Sequence, residues 1–419
     1  MISPGDIGLP DTQWRPGQWE VISRALTALA DGDRYILIEA PPGIGKSWIG
    51  LALARLLNKR TVILTATKQL QDQYLRLGAI TARGRPNFPC LIEPEVSAAA
   101  AMCRAGLECE YAGAHGLRGC AYYDQKRDAL AAQESVFNYA YFLAEANYAR
   151  DFSPPRGSAV PLLICDEAHE LRKVLEGFLS EEILWQQLSR VEAPLPAPPS
   201  TIEEWKQWGE DAEEPLKDYL DELKAVQRRR SGASEATRGV VRHLEMVAHL
   251  LRVAVWLQDA EDFIVLSEAK GVSFRPLWVA PYTEKVLSRF ANQVVFMSAT
   301  LGAPASFLSH LGLQADVGVQ AFACASPFAK ERRPIRYLPV AKVTRLDPSS
   351  MGKVVQAVDQ LLDTNAGKKG LVHTVSYKLA ATLRQASRHK DRLVFHIDAF
   401  GRERALHEIA GLNSHKQLG

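Results

Sequence analysis

Residues 40–47 read Ala-Pro-Pro-Gly-Ile-Gly-Lys-Ser, which is the pattern GxxxxGK(S/T) with alanine in place of the first glycine. The segment follows a short apolar run and precedes a stretch of helical periodicity, the context that the pattern requires. Glycines let the backbone N–H groups of such a loop turn toward phosphate oxygens at the positive end of a helix. The lysine would reach the β and γ phosphates, and the serine hydroxyl would ligate Mg²⁺. The predicted phosphate-binding residues are Gly43, Ile44, Gly45, Lys46 and Ser47.

A second group of candidate residues follows the apolar strand pattern 162–165. Asp166 at the end of that strand would hold the Mg²⁺, and Glu167 would polarise the water that attacks the terminal phosphate. His169 is not needed to bind nucleotide, and we expect it to relay the nucleotide state to another element. Adjacent acids after a strand can also merely cap a helix, but the phosphate-binding pattern upstream favours catalysis. The two segments together predict an ATP hydrolase that uses Mg²⁺, with Lys46, Asp166 and Glu167 as its catalytic residues.

The composition is that of a folded chain. Its 419 residues suggest two to four domains, and a content of 47% hydrophobic and 23% charged residues excludes a mostly disordered polymer. The chain has 50 lysines and arginines against 48 acids, a net charge of +2, so a nucleic-acid site must be a local basic patch. The first residues lack the layout of a signal peptide, and no apolar run reaches the ~18 residues that span a bilayer. We therefore expect a soluble, cytoplasmic protein with no membrane partner.

The elements that must position these motifs alternate between helix and strand patterns over the first 80 residues, which favours an α/β fold with a parallel sheet. From residue 84 to about 130 the alternation stops, and this stretch contains four of the six cysteines. A helical pattern with a Pro-rich break occupies 180–263, and α/β alternation then returns. A further unit begins near residue 330, with strand candidates at 335–338, 370–374 and 393–397.

The four clustered cysteines are separated by 12, 5 and 10 residues. Four thiolates suit either tetrahedral Zn²⁺ or a 4Fe-4S cluster, because both prefer four soft ligands. Structural zinc sites usually contain two cysteines two to four residues apart, and that knuckle is absent here. Zinc, an iron-sulfur cluster and unliganded core cysteines all remain open at this point. The cysteines are Cys90, Cys103, Cys109 and Cys120.

Residues 166–169 read Asp-Glu-Ala-His, and this DEAH sequence resembles the signature of superfamily 2 helicases. Three more segments resemble motifs of that superfamily. Residues 15–18 resemble its Q motif, residues 65–67 with Leu70 and Gln73 resemble the motif that touches the DNA backbone, and residues 298–301 match its Ser-Ala-Thr-Leu coupling motif. The resemblance implies adenine recognition by Gln18, DNA contact by Thr67 and Gln73, and coupling of hydrolysis to strand movement by His169, Ser298 and Thr300.

The position of the four cysteines, between the Thr-Ala-Thr and DEAH segments, narrows the resemblance to the iron-sulfur helicases of the XPD and DinG kind. The resemblance implies that Cys90, Cys103, Cys109 and Cys120 hold a 4Fe-4S cluster and that the helical segment is an arch-like insertion enclosing a single strand. It also implies a DNA contact at Asn138 and Tyr139. The expected activity is ATP-dependent 5′ to 3′ unwinding of DNA, with single-stranded and forked DNA as partners.

The resemblance thus implies an α/β fold with a RecA-like parallel sheet, an Fe-S insertion, an all-helical arch insertion and a partial second RecA-like domain. The first RecA-like domain would comprise 1–83, 131–179 and 264–329, the Fe-S insertion 84–130, the arch 180–263 and the partial second domain 330–419. Only 42 residues follow Tyr377, which leaves no room for the family's late arginine motif, and Arg402 and Arg404 come too early in the domain to replace it.

We therefore expect an incomplete motor that hydrolyses ATP slowly and unwinds poorly alone. A further polypeptide could supply the missing motifs. The alternative is a single-stranded-DNA-binding module or regulatory subunit that uses nucleotide as a switch, without autonomous unwinding. A nucleotide-dependent nuclease that carries zinc is disfavoured, because the sequence contains no separate acidic nuclease constellation.

Overall fold

The structure is a computed structural model of the chain. It describes residues 2–11, 13–101, 103, 109–113, 116–149, 160–228, 235–314, 318–332, 334–341, 348–374 and 376–395. The chain divides into two compact units, Met1–Phe328 and Ala329–Gly419. All the segments predicted to bind nucleotide lie in the first unit.

A seven-stranded parallel sheet forms the centre of the first unit. Its strands are β1 (Tyr35–Glu39), β2 (Thr61–Thr65), β3 (Ile80–Ala82), β4 (Glu134–Asn138), β5 (Val160–Asp166), β9 (Ala291–Ser298) and β10 (Val319–Ala323). They lie in the order β10-β1-β9-β5-β2-β4-β3, and every pairing is parallel. The predicted parallel α/β fold is therefore confirmed.

Helices cover both faces of this sheet. They are α1 (Gln18–Ala30), α2 (Lys46–Leu57), α3 (Lys68–Arg76), α4 (Ala121–Ala131), α5 (Tyr139–Ala144), α6 (Leu171–Leu179), α10 (Ala280–Val286) and α11 (Pro304–His310). Alternate residues of β1 belong to two separate apolar clusters, with Leu37 in one and Ile38 in the other. A strand that is buried on both faces needs a continuous apolar sequence, which explains why these strands read as unbroken apolar runs.

The insertion predicted over 180–263 is not all-helical. It comprises β6 (Glu181–Leu184), α7 (Trp185–Leu188), α8 (Ile202–Arg228) and α9 (Glu235–Gln258), and it is followed by the hairpin β7 (Phe263–Glu268) and β8 (Gly271–Pro276). The strands β6, β8 and β7 form a small antiparallel sheet. Trp205, Trp208 and Phe274 fill the core between this sheet and the two long helices. The sequence pattern did not predict the short strand β6, which forms through its pairing with β8.

The second unit contains two described helices, α12 (Pro348–Thr364) and α13 (Tyr377–Ala386). Met351, Val355, Leu379 and Leu383 pack between them. None of the predicted strands at 335–338, 370–374 and 393–397 forms among the described residues, and residues 396 and 397 lie outside them. Arg402 and Arg404 also lie outside the described residues. A parallel strand needs hydrogen-bonded neighbours, and the described part of this unit offers these segments none.

Within the described parts of the chain, no helix has the length and apolar character needed to cross a bilayer.

Candidate functional site

The predicted nucleotide motifs meet at the carboxyl edge of the parallel sheet. Glu39 at the end of β1 pairs in register with Ser298 of β9, and Asp166 of β5 pairs with Met297 of the same strand. The coupling motif at Ser298 therefore lies between the phosphate loop that follows β1 and the DEAH segment that follows β5. Ligands of open α/β sheets bind at this edge.

The phosphate loop depends on glycines in the left-handed region of the backbone. Gly43 and Gly45 have φ values of +85° and +89°, which L side chains rarely adopt. A Cβ on Gly43 would collide with the ring of Phe328, and a Cβ on Gly45 would lie 2.8 Å from Nε2 of Gln18. The loop ends at Lys46, the first residue of α2, which puts the loop at a helix N-terminus.

The Gln18 side chain is hydrogen-bonded to the phosphate loop. Its side chain is fully buried, and Nε2 donates to the carbonyl oxygen of Ile44 at 2.6 Å while Oε1 accepts the backbone N–H of Arg15 at 2.8 Å. Arg15 reaches the same loop, because its Nη1 donates to the carbonyl oxygen of Gly43 at 2.6 Å. In this structure the Gln18 amide holds the loop, and the exposed Arg15 side chain lies beside it.

Asp166 is buried and held by two donors. The hydroxyl of Tyr74 donates to Oδ2 at 2.9 Å, and the backbone N–H of Glu167 donates to Oδ1 at 3.0 Å. Burial, and then the negative charge of Glu167, raise the pKa of Asp166 to about 6, although the Tyr74 hydrogen bond and the charge of Lys46 oppose that rise. Burying a negative charge costs free energy, and a bound metal ion relieves that cost. The buried carboxylate of Asp166 is therefore a strong candidate for a cation ligand.

Glu167 has a strained backbone and faces the phosphate loop. Its φ of 55° and ψ of 46° place it in the left-handed region, which a non-glycine residue adopts at an energetic cost. Its Oε1 lies 3.1 Å from Nζ of Lys46. The end of β5 therefore projects a carboxylate toward the lysine that is predicted to contact phosphate.

His169 connects the DEAH segment to the coupling motif. Its Nδ1 lies 2.8 Å from Oγ of Ser298 and 3.3 Å from Oε2 of Glu167. The same Ser298 hydroxyl accepts the backbone N–H of Thr300 at 3.3 Å. The structure therefore brings together all three residues that the sequence predicted for coupling.

Glu39 belongs to this arrangement, although sequence patterns did not single it out. Its Oε2 accepts the backbone N–H groups of Leu301 at 3.0 Å and Gly302 at 3.3 Å. The carboxylate thereby fixes the turn after the coupling motif to the strand that leads into the phosphate loop. An acid at the end of a strand, directly before a phosphate-loop pattern, is the only sequence signal that points to it.

The residues predicted to contact DNA fall into two groups. Thr67 and Gln73 on α3 are exposed, and the Thr67 hydroxyl also accepts the backbone N–H of Leu70 at the start of the helix. Asn138 caps α5 by accepting the backbone N–H of Tyr141 at 2.8 Å. Tyr139 is buried, with its hydroxyl donating to the backbone carbonyl of Asp166 at 3.0 Å. Of these four residues, Thr67 and Gln73 are exposed, Asn138 is partly exposed, and Tyr139 is buried.

The four clustered cysteines line one cavity. Three of them are partly exposed, Cys120 is buried, and none forms a disulfide. Burial raises the pKa of the Cys109 thiol, and the nearby Cys103 and Cys120 raise it further. Among the described residues, no three His, Cys, Asp or Glu side chains are close enough together to hold a metal ion. The cavity is lined by Cys90, Cys103, Cys109 and Cys120 together with Arg85, Tyr111, Tyr122, Tyr123 and smaller apolar residues.

Comparisons with known proteins agree with this geometry. The family described as "Type III restriction enzyme, res subunit" matches residues 11–191, which include the phosphate loop and the DEAH segment. Among solved structures, an XPD helicase superposes with a TM-score of 0.52 at 15% identity, covering 88% of this chain and 74% of its own. The Xpd4 structure from S. tokodaii gives a TM-score of 0.49 at 17% identity, with coverage of 90% and 77%. No curated protein sequence matches the chain.

These findings support the class predicted from the sequence, an ATP-hydrolysing helicase-type enzyme. At 15% identity, this likeness shows that the chain shares its fold with an XPD helicase structure.

Proposed function

We propose that this chain is an ATP-dependent DNA translocase and helicase of the iron-sulfur type, moving 5′ to 3′. The observation that carries the proposal is the chain of contacts across the sheet edge. Lys46 contacts Glu167, His169 lies within 3.3 Å of the same carboxylate, and His169 contacts Ser298 of the coupling motif. A purely structural cluster of buried acids has no need for a link of this kind between a phosphate loop and a third strand end.

The proposed chemistry assigns each contact a role. A γ phosphate would compete with Glu167 for Lys46, which now lies 3.1 Å from that carboxylate. Release of Glu167 from the lysine frees its oxygens to orient and polarise the attacking water. His169 reports this change, because its Nδ1 is shared between Glu167 and Ser298. Ser47 and Asp166 are the proposed Mg²⁺ ligands, and the ion would neutralise charge that develops on the phosphate oxygens.

The exposed part of α3 is the proposed DNA contact in this unit. Thr67 and Gln73 lie on its surface, and contacts of this kind to the phosphate backbone tolerate most sequences and weaken with salt. The direction of movement, 5′ to 3′, follows from the resemblance to the iron-sulfur helicases and is tested below.

The cysteine cavity supports a 4Fe-4S cluster as the proposed resident group. All four cysteines face one cavity, and Nη1 of Arg85 lies 3.4 Å from Sγ of Cys103, so a cationic donor is ready to stabilise a thiolate there. When bound, the cluster would tie the insertion together through four metal–sulfur bonds. A zinc ion is the competing ligand. The visible absorption and the iron and zinc content of anaerobically purified protein distinguish the two, and a colourless, zinc-loaded sample would overturn the cluster.

A contact between the two insertions supports the enclosure of a single strand. Nη2 of Arg238 in the helical insertion lies 3.1 Å from Oε1 of Glu93 in the cysteine-rich insertion. The Glu93 side chain is mostly buried, so this ion pair is screened less than one on the open surface. We propose that the contact closes the arch-like insertion over the strand.

The second unit favours a partner polypeptide. Ile335 and Tyr337 are 95% and 86% exposed, and Leu371 is 88% exposed, in segments that carry strand-like sequence but no strand pairing in the described residues. Exposed apolar segments with unpaired backbone are a ready template for added strands. We propose that further polypeptide pairs with these segments and supplies the arginine motif. The second candidate function is a nucleotide-switched module that binds single-stranded DNA without unwinding it.

The deciding experiment measures ATP hydrolysis with and without single-stranded DNA. Lys46→Ala should abolish nucleotide binding, whereas Glu167→Gln should keep binding and remove turnover. Lys270→Ala, in the exposed turn between β7 and β8, is the matched control and should behave as wild type. Duplexes with a 5′ or a 3′ single-stranded tail then test polarity, and unwinding from the 3′ tail alone would contradict it. Nucleotide-dependent DNA binding without turnover, even after a second polypeptide is added, would favour the switch.

A further inference from the structure

Tyr74 places a phenol hydroxyl on the carboxylate that is proposed to hold Mg²⁺. The side chain is fully buried, and its hydroxyl donates to Oδ2 of Asp166 at 2.9 Å. Tyr74 lies 92 residues before Asp166 in the chain, so the contact joins two separate motifs. Because the Glu167 N–H binds Oδ1, both oxygens of Asp166 are oriented by protein donors, one local and one from α3.

The neighbouring helix α2 makes room for this hydroxyl. Gly50 lies in the interior of α2, where glycine is destabilising relative to alanine. A Cβ at Gly50 would lie 3.2 Å from the Tyr74 oxygen and 3.0 Å from Cε of Met297. The hydroxyl therefore fits closely between the Asp166 carboxylate and the backbone of α2 at Gly50.

The exposed side of α3 carries the residues proposed to contact DNA. Thr67 caps the helix and Gln73 directly precedes Tyr74, and both are exposed at the proposed DNA surface. The helix has only nine residues, so a displacement at its exposed face moves Tyr74 with it. No other described side chain donates a hydrogen bond to the Asp166 carboxylate from an element that also carries proposed DNA contacts.

We propose that Tyr74 is a positioning residue that transmits the placement of α3 on DNA to the carboxylate of Asp166, and so tunes Mg²⁺ binding. The inference rests on the proposed function and adds a route to it, separate from the contact between His169 and Ser298. Hydrogen-bond partners of metal ligands typically change metal affinity by about 10- to 100-fold when they are removed.

The test compares Tyr74→Phe with wild type in the binding of a fluorescent ATP analogue titrated with Mg²⁺, with and without oligothymidylate of about 20 nucleotides. In wild type, DNA should lower the Mg²⁺ concentration for half-maximal binding. In Tyr74→Phe that concentration should rise about tenfold, and DNA should no longer change it. Gly50→Ala, which displaces the hydroxyl without removing it, should shift the midpoint in the same direction.

Tyr35→Phe is the matched control. Tyr35 is equally buried, at the opposite end of β1 from the phosphate loop, and its loss of a hydroxyl should lower the melting temperature without moving the Mg²⁺ midpoint. An unchanged midpoint in folded Tyr74→Phe, or a DNA effect as large as in wild type, overturns the inference alone. If wild type itself binds no Mg²⁺–nucleotide, the proposed function fails and the role of Tyr74 fails with it.

Discussion

Replacing Asp166 with asparagine should make the protein more stable in the absence of nucleotide and Mg²⁺. Asp166 is 1% exposed, and burial followed by the charge of Glu167 raises its pKa from 3.8 to about 6. The unfolded chain ionises this carboxyl near 3.8, so between about pH 4 and pH 6 the folded state binds the proton more tightly. Stability therefore falls as the pH rises through this window, and the loss is complete above the folded-state pKa.

The size of the effect follows from the gap between the two pKa values. A gap from 3.8 to about 6 corresponds to about 3 kcal/mol once the group is fully ionised in both states. Asparagine does not ionise, so Asp166→Asn should be more stable than wild type by about 3 kcal/mol at pH 8. The gain should fall to roughly half of that value at pH 5, where the folded wild type is largely protonated.

Urea unfolding at the two pH values measures this difference directly. Asp31→Asn, which changes an exposed acid after α1, is the control and should stay within about 0.5 kcal/mol of wild type. Addition of Mg²⁺ and ATP should stabilise wild type and not the variant, because only the carboxylate gains a cation. An Asp166→Asn variant that is no more stable than wild type at pH 8, or that is stabilised equally at both pH values, would refute the conclusion that Asp166 is a carboxylate ionised at a cost inside the protein.

Three further substitutions, the last with a matched control, test the geometry. Gly45→Ala puts a Cβ 2.8 Å from the Gln18 amide at a φ of +89°, and should weaken binding of the fluorescent nucleotide by more than tenfold; wild-type affinity would contradict the loop geometry. Glu39→Ala removes the acceptor of two backbone N–H groups after β9 and should lower the free energy of unfolding, measured with urea, by about 1–3 kcal/mol. An unchanged free energy of unfolding would mean that the turn is stable without this carboxylate. Gly209→Ala should destabilise the helical insertion by about 1–3 kcal/mol, because its Cβ would collide with α9, while Gly177→Ala in α6 has open space and should be neutral or stabilising by thermal unfolding.

The central strands could be predicted from the sequence, and the edge strands could not. The apolar runs 35–39 and 61–65 on either side of the phosphate-loop helix coincide with β1 and β2, because strands buried on both faces require continuous apolar residues. At the edges, β3 and β10 are partly exposed, and Ile80 is 41% exposed. Such short, mixed segments become strands only through pairing with a neighbour, which no local pattern encodes. The second unit shows the converse, since strand-like sequence there forms no strand among the described residues.

Some residues of the candidate site could likewise be predicted from the sequence, and others could not. The phosphate loop and the DEAH segment are contiguous, so spacing alone identifies their residues. Glu39 and Tyr74 have no such local signal, because each acts on a segment far away in sequence. In α3 the tyrosine reads as an ordinary core residue of an amphipathic helix, and only the sheet order brings its hydroxyl to Asp166.

The contacts around the DEAH segment argue that hydrolysis depends on DNA at two points. Lys46 and Glu167 satisfy each other at 3.1 Å, so a phosphate must replace the carboxylate before that carboxylate can act on water. The neighbouring carboxylate of Asp166 accepts a hydrogen bond from Tyr74 of α3. His169 contacts the hydroxyl of Ser298, at the end of β9. Tyr74 lies next to the segment that resembles a DNA-contacting motif, and Ser298 belongs to the segment that resembles the coupling motif. If turnover requires alignment on both sides, we expect a DNA strand bound across them to accelerate hydrolysis more than either contact alone. Loss of Tyr74 or of Ser298 should then remove most of the stimulation by DNA.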